Sequence, residues 1–340
     1  MDLTNSTDYL LNVSTSIRNN NHFPTPASKV IVMLLLSMTF IIGTITDGLY
    51  LWVLKFKMKK TVNTLLFFHL ILSYFISVLF LPFLGISYVQ DNHWSFGMAM
   101  CKIFNSTLSV GMFASVFFLS AISVDRYLLT LHPVWSQLHR TPRWASRVIL
   151  GVWISAIALS MPYLVFRETR DDHKGTVTCQ NNYAVSPNWE SKKMQTLRKW
   201  IHVACFSSRF LLGFLLPFFI ITFCYERVAK KMKERGVFKS SKPFKVMMTA
   251  IISFFVCWMP YHVFQGLSLT KNQPLLLQLA LILTVITTSF NTVFSPTLYL
   301  FIGENFRKVF KMSVLALFES TFSEDSSTER TQNLNSEVCI

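Results

Sequence analysis

The sequence predicts an all-α fold, a seven-transmembrane helix bundle with a short amphipathic eighth helix. Three observations point there. The 340 residues are 51% hydrophobic and 14% charged, with a mean hydropathy of +0.41, a balance that no ordinary soluble protein shares. Cutting at charge clusters leaves seven apolar runs, near residues 30–54, 64–89, 103–129, 144–166, 200–225, 244–269 and 275–301. Each matches the roughly twenty helical residues that cross a bilayer. The runs lack strict alternation, so helices rather than barrel strands satisfy their backbones.

A net charge of +15 would suggest a nucleic-acid partner in a soluble protein. The placement of the charges argues against one. Lys55 to Lys60, Arg126 to Arg147, Arg227 to Lys245 and Arg307 to Lys311 mark short basic segments on one side of the bundle. The positive-inside rule makes that side cytoplasmic. An odd number of spans then puts the amino terminus outside and the carboxyl terminus inside, as for a multi-pass plasma-membrane protein. Asn5-Ser6-Thr7 and Asn12-Val13-Ser14 are glycosylation sequons in the outer segment. The first 28 residues have no apolar core, so the first helix is read as its own signal anchor.

Segment 1–29 is therefore an extracellular, sugar-bearing head, and 30–303 is the bundle. The first span carries Asp47 deep in apolar sequence. The second opens after Lys59-Lys60, holds Tyr74 at its middle and kinks at Pro82. The third starts beside Cys101, runs through apolar and small residues, and stops at Asp125-Arg126-Tyr127, whose charges mark the aqueous boundary. The fourth is centred on Trp153 and bends at Pro162. The charged outer loop 167–199 reads either as a vestibule or as an ordinary solvated loop. Arg209 and Pro217 lie in the fifth span. The sixth contains Phe254 and then Cys257-Trp258-Met259-Pro260-Tyr261-His262; Pro260 frees a carbonyl one turn earlier and makes the helix a candidate lever. The seventh carries Asn291, Ser295, Pro296 and Tyr299. Residues 304–318 read as an amphipathic helix on inner-leaflet lipid. The polar tail 319–340 reads as disordered, with serines and threonines open to phosphorylation.

Of six cysteines, Cys205, Cys224 and Cys257 fall inside helices as packing residues. Cys101 and Cys179 both lie in outward loops, on the oxidising side, which predicts a disulfide. No CxxC or HExxH spacing occurs, so neither a metal nor a cofactor is expected.

The outer cysteine pair, Asp125-Arg126-Tyr127, Trp153, Pro217, Cys257-Trp258-Met259-Pro260 and the Pro296 and Tyr299 pair together resemble the rhodopsin-like class of G-protein-coupled receptors, over residues 30–318. Arg209-Phe210-Leu211-Leu212-Gly213-Phe214, Thr61-Val62-Asn63-Thr64 and Leu131-His132-Pro133-Val134-Trp135 are similar to its chemoattractant branch, with formyl-peptide, anaphylatoxin and chemerin receptors. The resemblance implies a receptor rather than an enzyme, coupled to a heterotrimeric G protein of the inhibitory class and to arrestin through a phosphorylated tail. It also implies that Asp125 holds Arg126 at rest and that Arg126 swings toward Tyr225 and Tyr299 on activation. Pro133 and Tyr127 belong to the coupling face. Pro217, Phe254, Trp258, Pro260, Ser295 and Pro296 form the activation core. In physical terms, an always-charged group with two alternative partner sets is a bistable element.

The pattern breaks at three places. Tyr74 stands where the family usually has aspartate, Ser295 where it has asparagine, and Asp47 where it has asparagine. In relatives these positions gather around a sodium ion, a pocket that Ser115 and Asn291 would also face; without the carboxylate of the second span the ion loses its main ligand. Asp47 either replaces that charge from the neighbouring span or is neutral and hydrogen-bonded to Tyr74; the neutral form is expected, since a buried lone carboxyl tends to neutralise itself.

Arg209 lies two turns outward of Pro217. It either faces the bundle interior or snorkels to headgroups, and the default for intramembrane charge favours the interior. In formyl-peptide receptors the matching arginine contacts an anionic ligand, but the acid those receptors carry on the third span falls here at Ser109, which argues against formyl peptides. Trp258, Tyr261, His262 and Phe264 supply an aromatic floor and wall. The expected ligand is a peptide or lipid with a carboxylate and apolar bulk. Two other classes stand beside this reading: a scavenger that binds and internalises ligand, left open by Tyr74 and Ser295, and a transporter, disfavoured because the seventh span contains no lysine.

Overall fold

The computed structural model describes residues 26–171, 175–183, 192–236, 242–270, 274–299 and 309–313. Seven helical spans form one bundle. The first, Pro26–Trp52, continues into a wider π turn, Val53–Lys57. The second is in two pieces, Val62–Leu79 and Leu81–Val89. Thr61 and Thr64 cap its start reciprocally, each side-chain hydroxyl accepting from the other's backbone amide. Pro82 has no amide to donate to the preceding turn, so it sits in the first turn of the second piece, where none is needed.

The third span, Gly97–Leu131, is the axle. Of its most apolar stretch, 61% is buried, against at most 39% for the other candidate spans. Small residues let neighbours approach it closely. A Cβ on Gly111 would lie 2.0 Å from Ser77 Oγ, so the second and third spans touch there because that side chain is missing. Cys101 lies in the first turns of this helix rather than in a loop, because the helix begins before the apolar run does.

The fourth span, Pro142–Phe166, passes directly into an antiparallel hairpin, β1 Arg167–Asp171 and β2 Val177–Asn181. Cys179 on β2 is bonded to Cys101, which ties the hairpin over the outer end of the third span. The fifth span is Lys192–Phe210, a π turn Leu211–Leu215, and Leu216–Glu234. It starts well before the apolar run, so Lys193, Arg198 and Lys199 lie on a helix. The sixth is Lys242–Thr270 with Pro260 inside, and the seventh is Pro274–Tyr299.

Among the described residues six helices are long and apolar enough to cross a membrane, with a shorter apolar stretch, Leu279–Phe294, in the seventh. A short helix, Pro133–His139, forms in the second inner loop, which the sequence marks only as a short basic segment. Residues 309–313 are helical, and Phe310 packs on Tyr50 with ring centres 5.1 Å apart. The sequons at Asn5 and Asn12, most of the eighth-helix segment and the tail lie outside the described residues. So do the side chains of Ser295, Pro296 and Tyr299.

Candidate functional site

A cavity of about 290 Å³ occupies the outer half of the bundle. Its apolar wall includes Leu36, Leu81, Leu84 and Leu281, and its polar wall includes Ser109, Tyr163, Arg167, Trp258 and Tyr261. The only charged side chain on this wall, among the described residues, is Arg167. The hairpin positions it: Arg167 Nη1 donates to the Cys179 carbonyl at 3.1 Å, and its guanidinium carbon lies 5.7 Å from the Tyr163 ring centre. Burial lowers the Arg167 pKa from its ordinary value.

Arg209 stands behind the wall. Its Nη1 donates to the Tyr261 hydroxyl at 2.9 Å, its guanidinium carbon lies 4.5 Å over the Tyr163 ring, and the two tyrosine hydroxyls are 3.3 Å apart. The Nε atoms of Arg167 and Arg209 are buried without a hydrogen-bond partner, as are Ser109 Oγ and Trp258 Nε1. Ion pairs among the described residues are Lys29 with Asp91, Asp125 with Arg140, and Lys231 with Glu234. Neither cavity arginine meets a carboxylate there. The site therefore offers donors and positive charge and lacks a matching acid, which favours an anion and disfavours an amine.

His262 does not line the cavity. It is buried against Phe210, Phe214 and Tyr261, with Nδ1 unpaired. Toward the middle of the membrane the cavity reaches Tyr74 and Ser115. Asp47 is fully buried in the first span and is not part of that wall; neither of its carboxylate oxygens has a hydrogen-bond partner among the described residues. The expected bond from Asp47 to Tyr74 is thus not formed: Tyr74 turns toward the cavity, while Asp47 stays in the packing of the first span. Asn291 is buried, and the Ser115 hydroxyl donates to the Met112 carbonyl at 2.9 Å.

At the cytoplasmic end, Asp125 accepts from Arg140 Nε at 2.7 Å and Nη2 at 3.0 Å, and Arg140 Nη2 also donates to Asn63 Oδ1 at 2.7 Å. The expected pair between Asp125 and Arg126 is not made. Side chains one residue apart diverge by about 100° around a helix, whereas Arg140, delivered by the Pro133–His139 helix, brings its planar fork onto both oxygens. Arg126 keeps Asp125 and, more weakly, Tyr225 as electrostatic neighbours, but its Nε and the Tyr225 hydroxyl are both buried without a hydrogen-bond partner among the described residues. Tyr127 packs between Phe223 and His132.

A family model described as "7 transmembrane receptor (rhodopsin family)" matches residues 48–299. The chain belongs to the rhodopsin family of seven-transmembrane receptors. It is 78% identical to "Probable G-protein coupled receptor 33" of Homo sapiens over 332 residues, covering 98% of this chain and all of that one. It is 71% identical to the protein of the same name in Mus musculus over 340 residues, the full length of both. "Chemerin-like receptor 1" of Mus musculus is 41% identical over 307 residues, 88% of this chain and 82% of its own.

The receptor is thus a multi-pass membrane protein without catalytic chemistry. Its fold brings Arg209, Tyr261, Trp258 and Ser109 to one region, as the motifs suggest, and leaves His262 behind the wall. Arg167 and Tyr163 line the cavity although the motifs do not mark them. The available signal is that Arg167 is the first charge after an apolar run. In the sequence it is one of many loop charges, because nothing local announces the hairpin that turns it inward.

Proposed function

We propose that this receptor binds an extracellular peptide or lipid through a carboxylate and, in response, activates a heterotrimeric G protein of the inhibitory class. The observation that carries the reading is the pair of arginines, Arg167 on the cavity wall and Arg209 behind it, with the unpaired nitrogens Arg167 Nε, Arg209 Nε and Trp258 Nε1 beside them and no acid on the wall among the described residues. An apolar cavity with a few convergent polar groups is the default binding site, and an anion is what these groups complement. Similarity to chemerin-like receptor 1 supports the chemoattractant assignment.

In this reading the amino terminus is extracellular and glycosylated at Asn5 and Asn12, and Cys101–Cys179 holds the vestibule. Arg126, Tyr225 and Tyr299 receive the G protein, with Asp125, Tyr127 and Pro133 shaping that face. Pro217, Phe254, Trp258, Pro260, Ser295 and Pro296 relay the change. Arrestin reads the phosphorylated tail, and the eighth helix rests on lipid. The test is nucleotide exchange in cells expressing the full chain, screened with carboxylate-bearing peptides and fatty acids and compared with Arg126→Ala. Responses that persist in Arg126→Ala, or that favour amines over acids, would refute the reading.

A second reading is a scavenger receptor. It stays open on Tyr74 and Ser295, which stand where the family usually carries the aspartate and asparagine of its signalling core. Ligand uptake without nucleotide exchange would establish it.

A further inference from the structure

Pro260 interrupts the sixth span, so the carbonyl of Val256, four residues earlier, has no helical donor. On either side of that break the span is held by side chains of its neighbours. On the inner side, the Thr287 hydroxyl of the seventh span lies 2.8 Å from the Cys257 carbonyl and 2.8 Å from the Leu283 carbonyl of its own helix, its one proton shared between them. On the outer side, Tyr261, the residue directly after the proline, accepts from Arg209 of the fifth span and lies within 3.3 Å of the Tyr163 hydroxyl of the fourth. One phenol thereby joins the fourth, fifth and sixth spans.

This arrangement under-serves Arg209. It is a full charge with 8% of its surface exposed, held by one neutral oxygen and one aromatic face, with Nε unpaired. A carboxylate meets a guanidinium with two charge-assisted bonds, stronger than a phenol's single one. An anion arriving at the cavity wall, where Arg167 and Tyr261 are exposed to it, gains most by taking Arg209 away from Tyr261.

We propose that Tyr261 is a ligand-displaceable latch: it positions Arg209 and restrains the sixth span at Pro260, and a carboxylate that captures Arg209 releases that span. The inference rests on the carboxylate-ligand reading and adds the step that couples binding to movement. A ligand shifts a conformational equilibrium only through differential affinity for the two states. Here the difference is explicit, because the Arg209 fork is fully available to an anion only after Tyr261 has withdrawn. Tyr261 is a positioning residue, acting on ligand through Arg209.

The test reads the position of the sixth span directly. The full chain, purified in lipid nanodiscs, carries one fluorophore on a cysteine replacing the exposed Lys245 at the inner end of that span, with Cys205 and Cys339 changed to serine. Without ligand, Tyr261→Phe is expected to raise the ratio of outward to inward positions by about tenfold, the population change that one hydrogen bond to a charged group supports. Arg209→Gln is expected to match it, and the double variant to add nothing, because both remove the same bond. Arg209→Lys, which keeps the charge and loses the fork, is expected to fall between and serves if Arg209→Gln does not fold. Propionate at millimolar concentration is expected to move the natural chain outward and to leave Arg209→Gln unmoved. An unchanged ratio in Tyr261→Phe, effects that multiply in the double variant, or a propionate response shared by or absent from both proteins overturns the latch. Because the readout is helix position, the latch is tested even in a receptor that fails to activate a G protein.

Discussion

Arg140 occupies both carboxylate oxygens of Asp125, at 2.7 and 3.0 Å, and Arg126, the next residue in the chain, takes neither. Arg126 is thereby left without a direct bond to its neighbouring acid, and its Nε is buried and unpaired among the described residues.

Loosening that clamp is expected to quiet the receptor. With Arg140→Gln, Asp125 regains Arg126 as its available cation, at a pairing strength of about 1.5–3 kcal/mol for a hydrogen bond to a charged group. Ligand-free nucleotide exchange should fall by about tenfold. Asn63→Ala, which removes only the third contact of Arg140, should lower it less. Basal exchange per surface receptor is the measurement, and an increase in Arg140→Gln would contradict the clamp.

Breaking the outer disulfide should cost binding before it costs the bundle. The bridge closes a loop of 78 residues and fixes β2, whose Cys179 carbonyl holds Arg167. Loop-closure estimates put such a bridge at about 4 kcal/mol in a soluble chain, and less where membrane insertion already restricts the unfolded state. Cys179→Ala is expected to weaken the response to carboxylate ligands at least as much as Arg167→Ala does. Surface expression by antibody, measured alongside, separates lost binding from lost folding.

Arg209→Ala is expected to abolish the ligand response while leaving the receptor at the cell surface, because Arg209 faces the interior and makes no contact on which insertion depends. Methyl esterification of an active ligand should mimic the loss in the natural chain and add nothing in the variant. A full response from Arg209→Ala would remove it from the site.

Asp47 carries a buried polar cost that no hydrogen bond among the described residues offsets. Asp47→Leu should raise the melting temperature in detergent, corresponding to roughly 1–3 kcal/mol for relieving an unsatisfied buried group. Replacing sodium by choline should leave the natural receptor's basal activity unchanged. Tyr74→Asp combined with Asp47→Asn should make it sodium-dependent; equal sodium responses in the two proteins would discard the idea.

Much of this molecule is legible in its sequence. The spans, the Cys101 to Cys179 bridge and the break at Pro82 all follow from hydropathy, cysteine placement and motif. These features depend on local chain properties: an apolar run must become a helix in lipid whatever surrounds it, and a proline lacks its amide wherever it stands. The tertiary structure alone decided which groups meet. Arg140 reaches Asp125 because a seven-residue helix turns it back, Tyr261 holds Arg209 behind the cavity wall, Arg167 enters the wall through a hairpin, and Asp47 misses Tyr74. Each of these is a choice between partners distant in the chain, fixed by helix rotation and packing across the bundle, and linear spacing does not encode it.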